Sequence, residues 1–299
     1  MHPVLIDIGP FTLHSYGLMI ATAFIVALLL CQRDAPRFGV PVEFISSVAF
    51  GGLLAGIIGA RILHIVMFSQ QYSWDNPLGW IAIWEGGLVF QGAMPVAAAF
   101  CLLYARAKGV AFTAFIDVLG PYIPLGHAIG RVGCFLNGCC YGSIAHDVPW
   151  AVTFPRFPSD PSETPTGSLP YLDHLQRGLV AFSDQWSLPV HPSQLYSMGV
   201  LLLLAVMLLL CRRYWRPFQG IMIPAYFTLY GVGRFVLEFF RGDAAREHFG
   251  GMLTNQQVFS FVFIAFGVGS FVYLYRNRER FKPAQPHASR EGENQESGE

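Results

Sequence analysis

Seven runs of mostly apolar residues, each near the roughly 20 that a helix needs to cross the hydrocarbon core of a bilayer, punctuate the chain. They occupy 13–31, 44–68, 88–105, 112–135, 192–211, 221–240 and 257–275. Composition points the same way: 53% of the 299 residues are hydrophobic and only 13% charged, against about a quarter charged in an ordinary soluble domain. The sequence therefore predicts an all-α fold, a polytopic membrane protein with about seven transmembrane helices set in the lipid bilayer. Formal net charge is zero and no extended basic surface appears, so there is no electrostatic footprint for nucleic acid.

The short loops orient the spans. Arg33 and Arg37, Arg106 and Lys108, Arg212, Arg213 and Arg216, and Arg276, Arg278, Arg280 and Lys282 fall on alternate crossings, which is the positive-inside pattern. The N-terminus is thus expected outside and the C-terminus inside. No basic n-region precedes the first span and no small-residue cleavage site follows it, so an uncleaved helix is expected in place of a signal peptide. The transmembrane domain is placed at 1–275. The polar tail at 276–299 (KPAQPHASREGENQESGE from 282 onward) is expected to be disordered. One long outer excursion, at about 138–191, separates spans four and five; its length suggests a small head over the membrane.

Six cysteines follow no framework spacing. Cys31, Cys101 and Cys211 sit at inner helix ends, where small apolar packing is the ordinary role. Cys134, Cys139 and Cys140 lie near the outer face without His or acidic neighbours at ligand spacing. No metal is expected there, and an oxidised pair is left open.

Several polar residues lie where a membrane should reject them. The stretch GRVGCFLNGCCYG, 130–142, places Arg131 within an apolar helix, four residues after His127. An intramembrane arginine costs at least a few kcal/mol and marks a functional site by default. In LYGVGRFVLEFFRGD, Tyr230, Arg234, Glu238 and Arg241 follow at steps of four, four and three, on one helical face. Arg234 and Glu238 can neutralise each other. Arg131 has no acid within a turn, Asp117 being several turns away. Two arginines against one local carboxylate form a receptor for an anion, and arginine favours bidentate carboxylate or phosphate. A phospholipid head group is the anion most available there. Gly126, Gly130, Gly133, Gly138 and Gly142 crowd around Arg131 and Asn137, and the run GGLLAGIIGARILH sets Arg61 behind a small-residue series. Singly, such glycines read as helix-packing residues.

The ordered blocks HSYGLM, GARILH, WEGGLVFQGA, GRVGCFLNGCCYG, HPSQLY and LYGVGRFVLEFFRGD resemble those of prolipoprotein diacylglyceryl transferases, bacterial inner-membrane enzymes, over about 10–275. The resemblance implies transfer of the diacylglyceryl group of phosphatidylglycerol to the lipobox cysteine thiol of a prolipoprotein, with release of glycerol 1-phosphate. Residues 1–275 then become the catalytic domain, and no cofactor is implied. The family's lipid-binding arginine falls on Arg131 and its second essential arginine on Arg234. Its tyrosines fall on Tyr16 and Tyr230, its acid on Glu238 and its signature glycine on Gly142. Asn137 and Arg61 join the expected lipid-binding set, and Gln91 the catalytic one. The chain departs from the best-known members at three places. It has Gln91-Gly92-Ala93 for H-G-G, Gly133-Cys134-Phe135 for G-N-F, and Cys139 where a glutamate follows N-G. Gln91 cannot take a proton, so His14, His127 or Glu238 would have to act as base, or the thiolate must arrive preformed. The competing class is an anion or anionic-lipid transporter that uses the same arginines.

Overall fold

The computed structural model describes residues 3–8, 11–72, 76–83, 86–157, 167–215, 217–242, 246–248 and 251–281. The expected tail beyond 281 lies outside them, as do Glu85, Arg216 and Lys282. A short hairpin, β1 (Val4–Ile8) with β2 (Phe11–His14), leads into α1 (Ser15–Asp34). The long helices that follow are α2 (Val42–Met67), α3 (Phe90–Ala107), the pair α4 (Phe112–Leu119) and α5 (Tyr122–Asn137), α7 (Ser193–Tyr214), α8 (Met222–Leu237) and α9 (Asn255–Arg276). The short α6 (Leu169–Gln176) belongs to the excursion between α5 and α7, and a small hairpin, β3 (Arg246–His248) with β4 (Leu253–Thr254), precedes α9.

Among the described residues five of these segments are long and apolar enough to cross a membrane: Ser15–Phe38, Val42–Met67, Phe112–Asn137, Ser193–Tyr214 and Asn255–Arg276. The 18-residue α3 and the 16-residue α8 are shorter, and α8 is extended by a 3₁₀ turn at Glu238–Phe240. Their packing follows from small residues. A Cβ on Gly59 would stand 2.5 Å from the Gly92 carbonyl oxygen, and one on Gly92 2.3 Å from that of Gly59, so α2 and α3 touch backbone to backbone. In the same way Gly231 and Gly267 bring α8 against α9. Outward side chains such as Leu54, at 62% exposure, and Leu203, at 60%, are apolar, as a lipid-facing surface requires and a water-facing one would not tolerate.

The fourth expected span is broken at Gly120-Pro121. Proline has no N–H for the carbonyl four residues back, which frees the oxygen of Asp117. Arg212 of α7 satisfies it: Nη1 donates to the Asp117 and Val118 carbonyls at 3.4 and 3.3 Å. Its Nη2 pairs with Asp34 Oδ2, which also accepts from Tyr122 Oη at 2.5 Å, while Arg37 reaches Asp34 Oδ1 at 3.0 Å. The fully buried Asp117 carboxylate in turn accepts from the Gly220 and Met222 amides, at 2.8 and 3.3 Å, and so caps the start of α8.

At the opposite end of the bundle the excursion folds into a head. Tyr141, Phe154, Tyr171, His174 and Val190 are buried there. Isolated bridges join Val190 to Ile144 and Val152, and Trp186 to Pro155. Burial holds His174 below the usual histidine range, and its Nδ1 accepts from the Leu188 amide at 3.2 Å.

Candidate functional site

Helix α5 has two working faces because its small and polar residues alternate at helical spacing. Gly126, Gly130 and Gly133 admit α1: Cβ atoms there would meet Ala23, Ile20 and Met19 with Tyr16 respectively. These glycines therefore serve packing. The other face carries His127 and Arg131 toward α7 and α8. From α7 come Ser197, Val200 and Leu201, and from α8 Tyr230, Arg234 and Leu237. Together they line one narrow cavity of about 10 Å³.

The two arginines in this cavity differ in their partners. Arg234 Nη1 lies 2.8 Å from Glu238 Oε2. This is an ion pair by distance whose angle falls outside hydrogen-bond geometry, so the buried Oε2 accepts no hydrogen bond. Glu238 Oε1 accepts from Thr254 Oγ1 at 2.9 Å. Thr254 is also the N-cap of α9, where it forms a capping box with Gln257. The carboxylate is thereby anchored on its far side and leaves the Arg234 fork facing the cavity. Arg131 is set differently. Its Nε is buried without a hydrogen-bond partner, and no carboxylate pairs with it among the described residues. One buried carboxylate set against two guanidiniums makes the cavity cationic. Aromatic rings frame it: Tyr230 stacks on Tyr226, with centroids 5.5 Å apart, and lies 5.9 Å from His127.

The remaining expected residues are distributed around this centre. Tyr16, half exposed on the first turn of α1, lies over Gly133. Asn137 is the last residue of α5. Gly142 sits at a backbone junction: its amide donates to the His191 carbonyl at 3.0 Å, and a Cβ there would meet that oxygen at 2.4 Å and the Phe240 oxygen at 2.8 Å. Gln91 is exposed on the first turn of α3 and is not among the residues that line the cavity. Arg61 also stands apart. Its guanidinium donates to the carbonyls of Gly79, Trp80, Gly86 and Gly87 at 2.5 to 3.1 Å. The left-handed Gly87, φ 74°, allows that approach, since a Cβ would fall 2.6 Å from Arg61 Nη1.

Sequence reasoning missed Ser197 and the Thr254–Gln257 support. The first had a signal in the buried stripe Ser193, Gln194, Ser197 and Leu201 of α7. The second had one in the spacing T-x-x-Q at the start of an apolar run.

Comparison with known proteins gives this arrangement a context. The chain is similar to proteins named phosphatidylglycerol–prolipoprotein diacylglyceryl transferase. That from Proteus mirabilis (strain HI4320) is 31% identical over 95% of both chains. That from Sodalis glossinidius (strain morsitans) is 33% identical over 92% of this chain and 93% of its own. That from Vibrio atlanticus (strain LGP32) is 31% identical over 96% of both. The family model described as prolipoprotein diacylglyceryl transferase matches residues 3–273, a span that runs from the first hairpin through α9 and takes in every residue of the cationic cavity, and on this footing the chain belongs to the prolipoprotein diacylglyceryl transferase family.

Proposed function

We propose that the chain transfers the diacylglyceryl group of phosphatidylglycerol to the lipobox cysteine thiol of a prolipoprotein, releasing glycerol 1-phosphate. The observation that carries this reading is the pair of arginines, Arg131 and Arg234, on one cavity, with Glu238 paired to Arg234 and no carboxylate paired to Arg131 among the described residues.

The reaction is a displacement. The thiolate sulfur attacks the glycerol carbon bonded to the phosphate oxygen, and the carbon–oxygen bond breaks with its electrons leaving on that oxygen. A phosphodiester monoanion becomes a phosphomonoester dianion, so charge grows on the leaving group. Guanidiniums placed on that phosphate bind the transition state better than the ground state. Arg131 is the primary phosphate ligand and Arg234, aligned by Glu238, closes from α8. Tyr230 and Tyr16 orient head group and peptide. Asn137 and Gly142 shape the head-side rim, and Gln91 is a hydrogen-bond donor toward the peptide. For Arg61 the four carbonyl contacts support a different part, holding the 79–87 loop.

A second, apolar hollow of about 450 Å³ lies between α7, α8 and α9, bordered by Leu208, Cys211, Ile221, Ala225, Leu229 and Phe271. Since it shares α7 and α8 with the cationic cavity, the acyl chains run down between these helices. The reading includes a bacterial inner membrane, in accord with the family, and an N-terminus and head on the periplasmic side with the C-terminus cytoplasmic, which the alternating basic loops support. A transporter of anionic lipid is not favoured, because the end of the bundle away from the head is closed by the Asp34–Tyr122–Arg212 network.

The test is an assay with purified protein, phosphatidylglycerol and a lipobox peptide, following glycerol phosphate and the peptide's mass. Lipid-modified peptide is expected; head-group release without peptide modification overturns the reading.

A further inference from the structure

Three thiols that the sequence spaces without apparent order are brought together at the head end of α5. The sulfurs of Cys134, Cys139 and Cys140 all lie within 4.8 Å of one another, and all three are free thiols. The turn that does this is a Schellman motif. Gly138 adopts φ 69°, its amide donates to the Phe135 carbonyl, and the Cys139 amide donates to that of Cys134. This closure sets the side chains on either side of the turn against each other. The next residue, Cys140, has φ 59°, the one positive φ at a residue other than glycine among the described residues. Backbone held in this region persists where the surroundings impose it. The surroundings here are specific: Gln194 Nε2 donates to the Cys139 carbonyl at 2.8 Å, Ser193 Oγ to that of Cys140 at 2.7 Å, and Arg241 Nη1 to the same oxygen at 3.4 Å. Two helices and the α8 exit thus fix the backbone of a three-sulfur cluster.

The cluster's dimensions suit one ion. Ligand sulfurs at 2.3 Å from a tetrahedral zinc stand about 3.8 Å apart, within the 4.8 Å that bounds the separations of these thiols. Three protein ligands with an open fourth position characterise catalytic zinc sites, and a coordinated thiol is deprotonated outright. Cys134 follows Arg131 by three residues on α5, so their Cα atoms are offset by roughly 4.5 Å along the helix axis. Tyr16 lies over Gly133, the residue that precedes Cys134.

We propose that Cys134, Cys139 and Cys140 bind Zn²⁺ as three thiolates and leave the fourth position to the thiol of the acceptor peptide, a role that rests on the transferase reading above. On coordination the peptide thiol loses its proton to water. Its sulfur then supplies the electron pair for the new carbon–sulfur bond, while the carbon–oxygen electrons leave with the phosphate held by Arg131. The product thioether is a weaker ligand and departs. This gives the chain a means of forming thiolate without a base at Gln91.

The test uses the full-length protein in detergent, reduced and stripped of metal, titrated with Co²⁺ as the probe. One Co²⁺ per chain with a sulfur-to-cobalt charge-transfer band, displaced by Zn²⁺, is expected. Cys134→Ser, Cys139→Ser and Cys140→Ser should each weaken binding at least tenfold while leaving the protein monodisperse. Adding a peptide with the acceptor cysteine should intensify the band, whereas its Cys→Ser counterpart should not. Absence of the band in the reduced protein, indifference of the band to the cysteine peptide, or a disulfide among the three in active enzyme each overturns the proposal. Full transfer by verified metal-free protein also sinks it and leaves the transferase reading standing. Metal and peptide binding as described, without lipid transfer, supports the site and instead sinks the transferase reading.

Discussion

Arg212 and Arg131 are both arginines within helices of the same bundle, one at each end, and they differ in what meets them. Around Arg212 a carboxylate, a phenol and the carbonyls of Asp117 and Val118, the first of them freed by Pro121, converge. Around Arg131 no carboxylate pairs with the guanidinium among the described residues, and its Nε is buried without a partner. A buried charge with its partners supplied is an architectural element, and removing one partner strands the other. A half-buried charge whose Nε is enclosed without a partner is retained at a cost, and that cost is the mark of a ligand site. Arg61 falls on the architectural side, because four backbone carbonyls engage it.

The contrast can be broken most decisively at Arg131. Both Arg131→Ala and Arg131→Lys should lower transfer by roughly 100-fold or more, since lysine keeps the charge and loses the planar fork; thermal stability should hold or rise. A lysine variant near the parental rate would remove bidentate phosphate recognition. The mirror experiment is Arg212→Met. Asp34 keeps Tyr122 and Arg37 as partners but loses its buried cation, which should destabilise the protein by about 1–3 kcal/mol, seen as a lower unfolding midpoint, while the protein that remains folded transfers lipid at close to the parental kcat.

Within the site, Arg234→Ala should reduce kcat/KM more than Glu238→Gln, by roughly tenfold, because the first deletes a phosphate ligand and the second only loosens its alignment. Equal activity of Arg234→Ala and parent would return the Arg234–Glu238 pair to the architectural class.

A smaller effect tests whether the lack of partners is confined to the cavity or shared by the whole head end. His174 is fully buried in the head, and burial depresses its pKa. A histidine whose folded pKa lies below its unfolded value of about 6.5 contributes stability that is complete above that pH and declines as pH falls toward the folded pKa. Protease cleavage within the head should therefore increase between pH 7.5 and 5.5 in the parent and change little in His174→Gln. The smallest effect is expected at Gln91. Gln91→Leu should alter KM for the peptide a few-fold with kcat unchanged, and Gln91→His should add an ionisation near pH 6.5 to the rate profile. Identical profiles for all three proteins would make Gln91 a packing residue.

The extent to which these distinctions could be read from sequence follows the range of the interactions. The spans were legible because twenty apolar residues are a local signal, and five of the segments match it in length and apolarity. Arg131, Tyr230 and Arg234 were legible because steps of four place them on helical faces. Arg61 and Arg131 look alike in sequence, each following a run of small residues. Only the fold shows that carbonyls 18 to 26 residues away claim the first. The three cysteines escaped because ligand spacing is judged along regular elements, whereas here a left-handed turn at Gly138 and a second positive φ at Cys140 fold the chain back on itself. Thr254 had a local capping signal, but its second partner, Glu238, comes from the preceding helix.

The junction at Gly142 bears on how the protein is made. The carbonyls it meets belong to His191, at the entrance to α7, and Phe240, at the exit from α8, segments that leave the ribosome well after α5. Until α8 is inserted, Arg131 lacks Arg234 across the cavity and the Ser143 amide lacks its acceptor at Phe240, and the nascent bundle holds a solitary cation that lipid phosphates can neutralise. The anion that the finished enzyme consumes as a substrate would then accompany its own active site during assembly, and membranes poor in anionic lipid would be expected to yield less of the folded protein, independently of turnover.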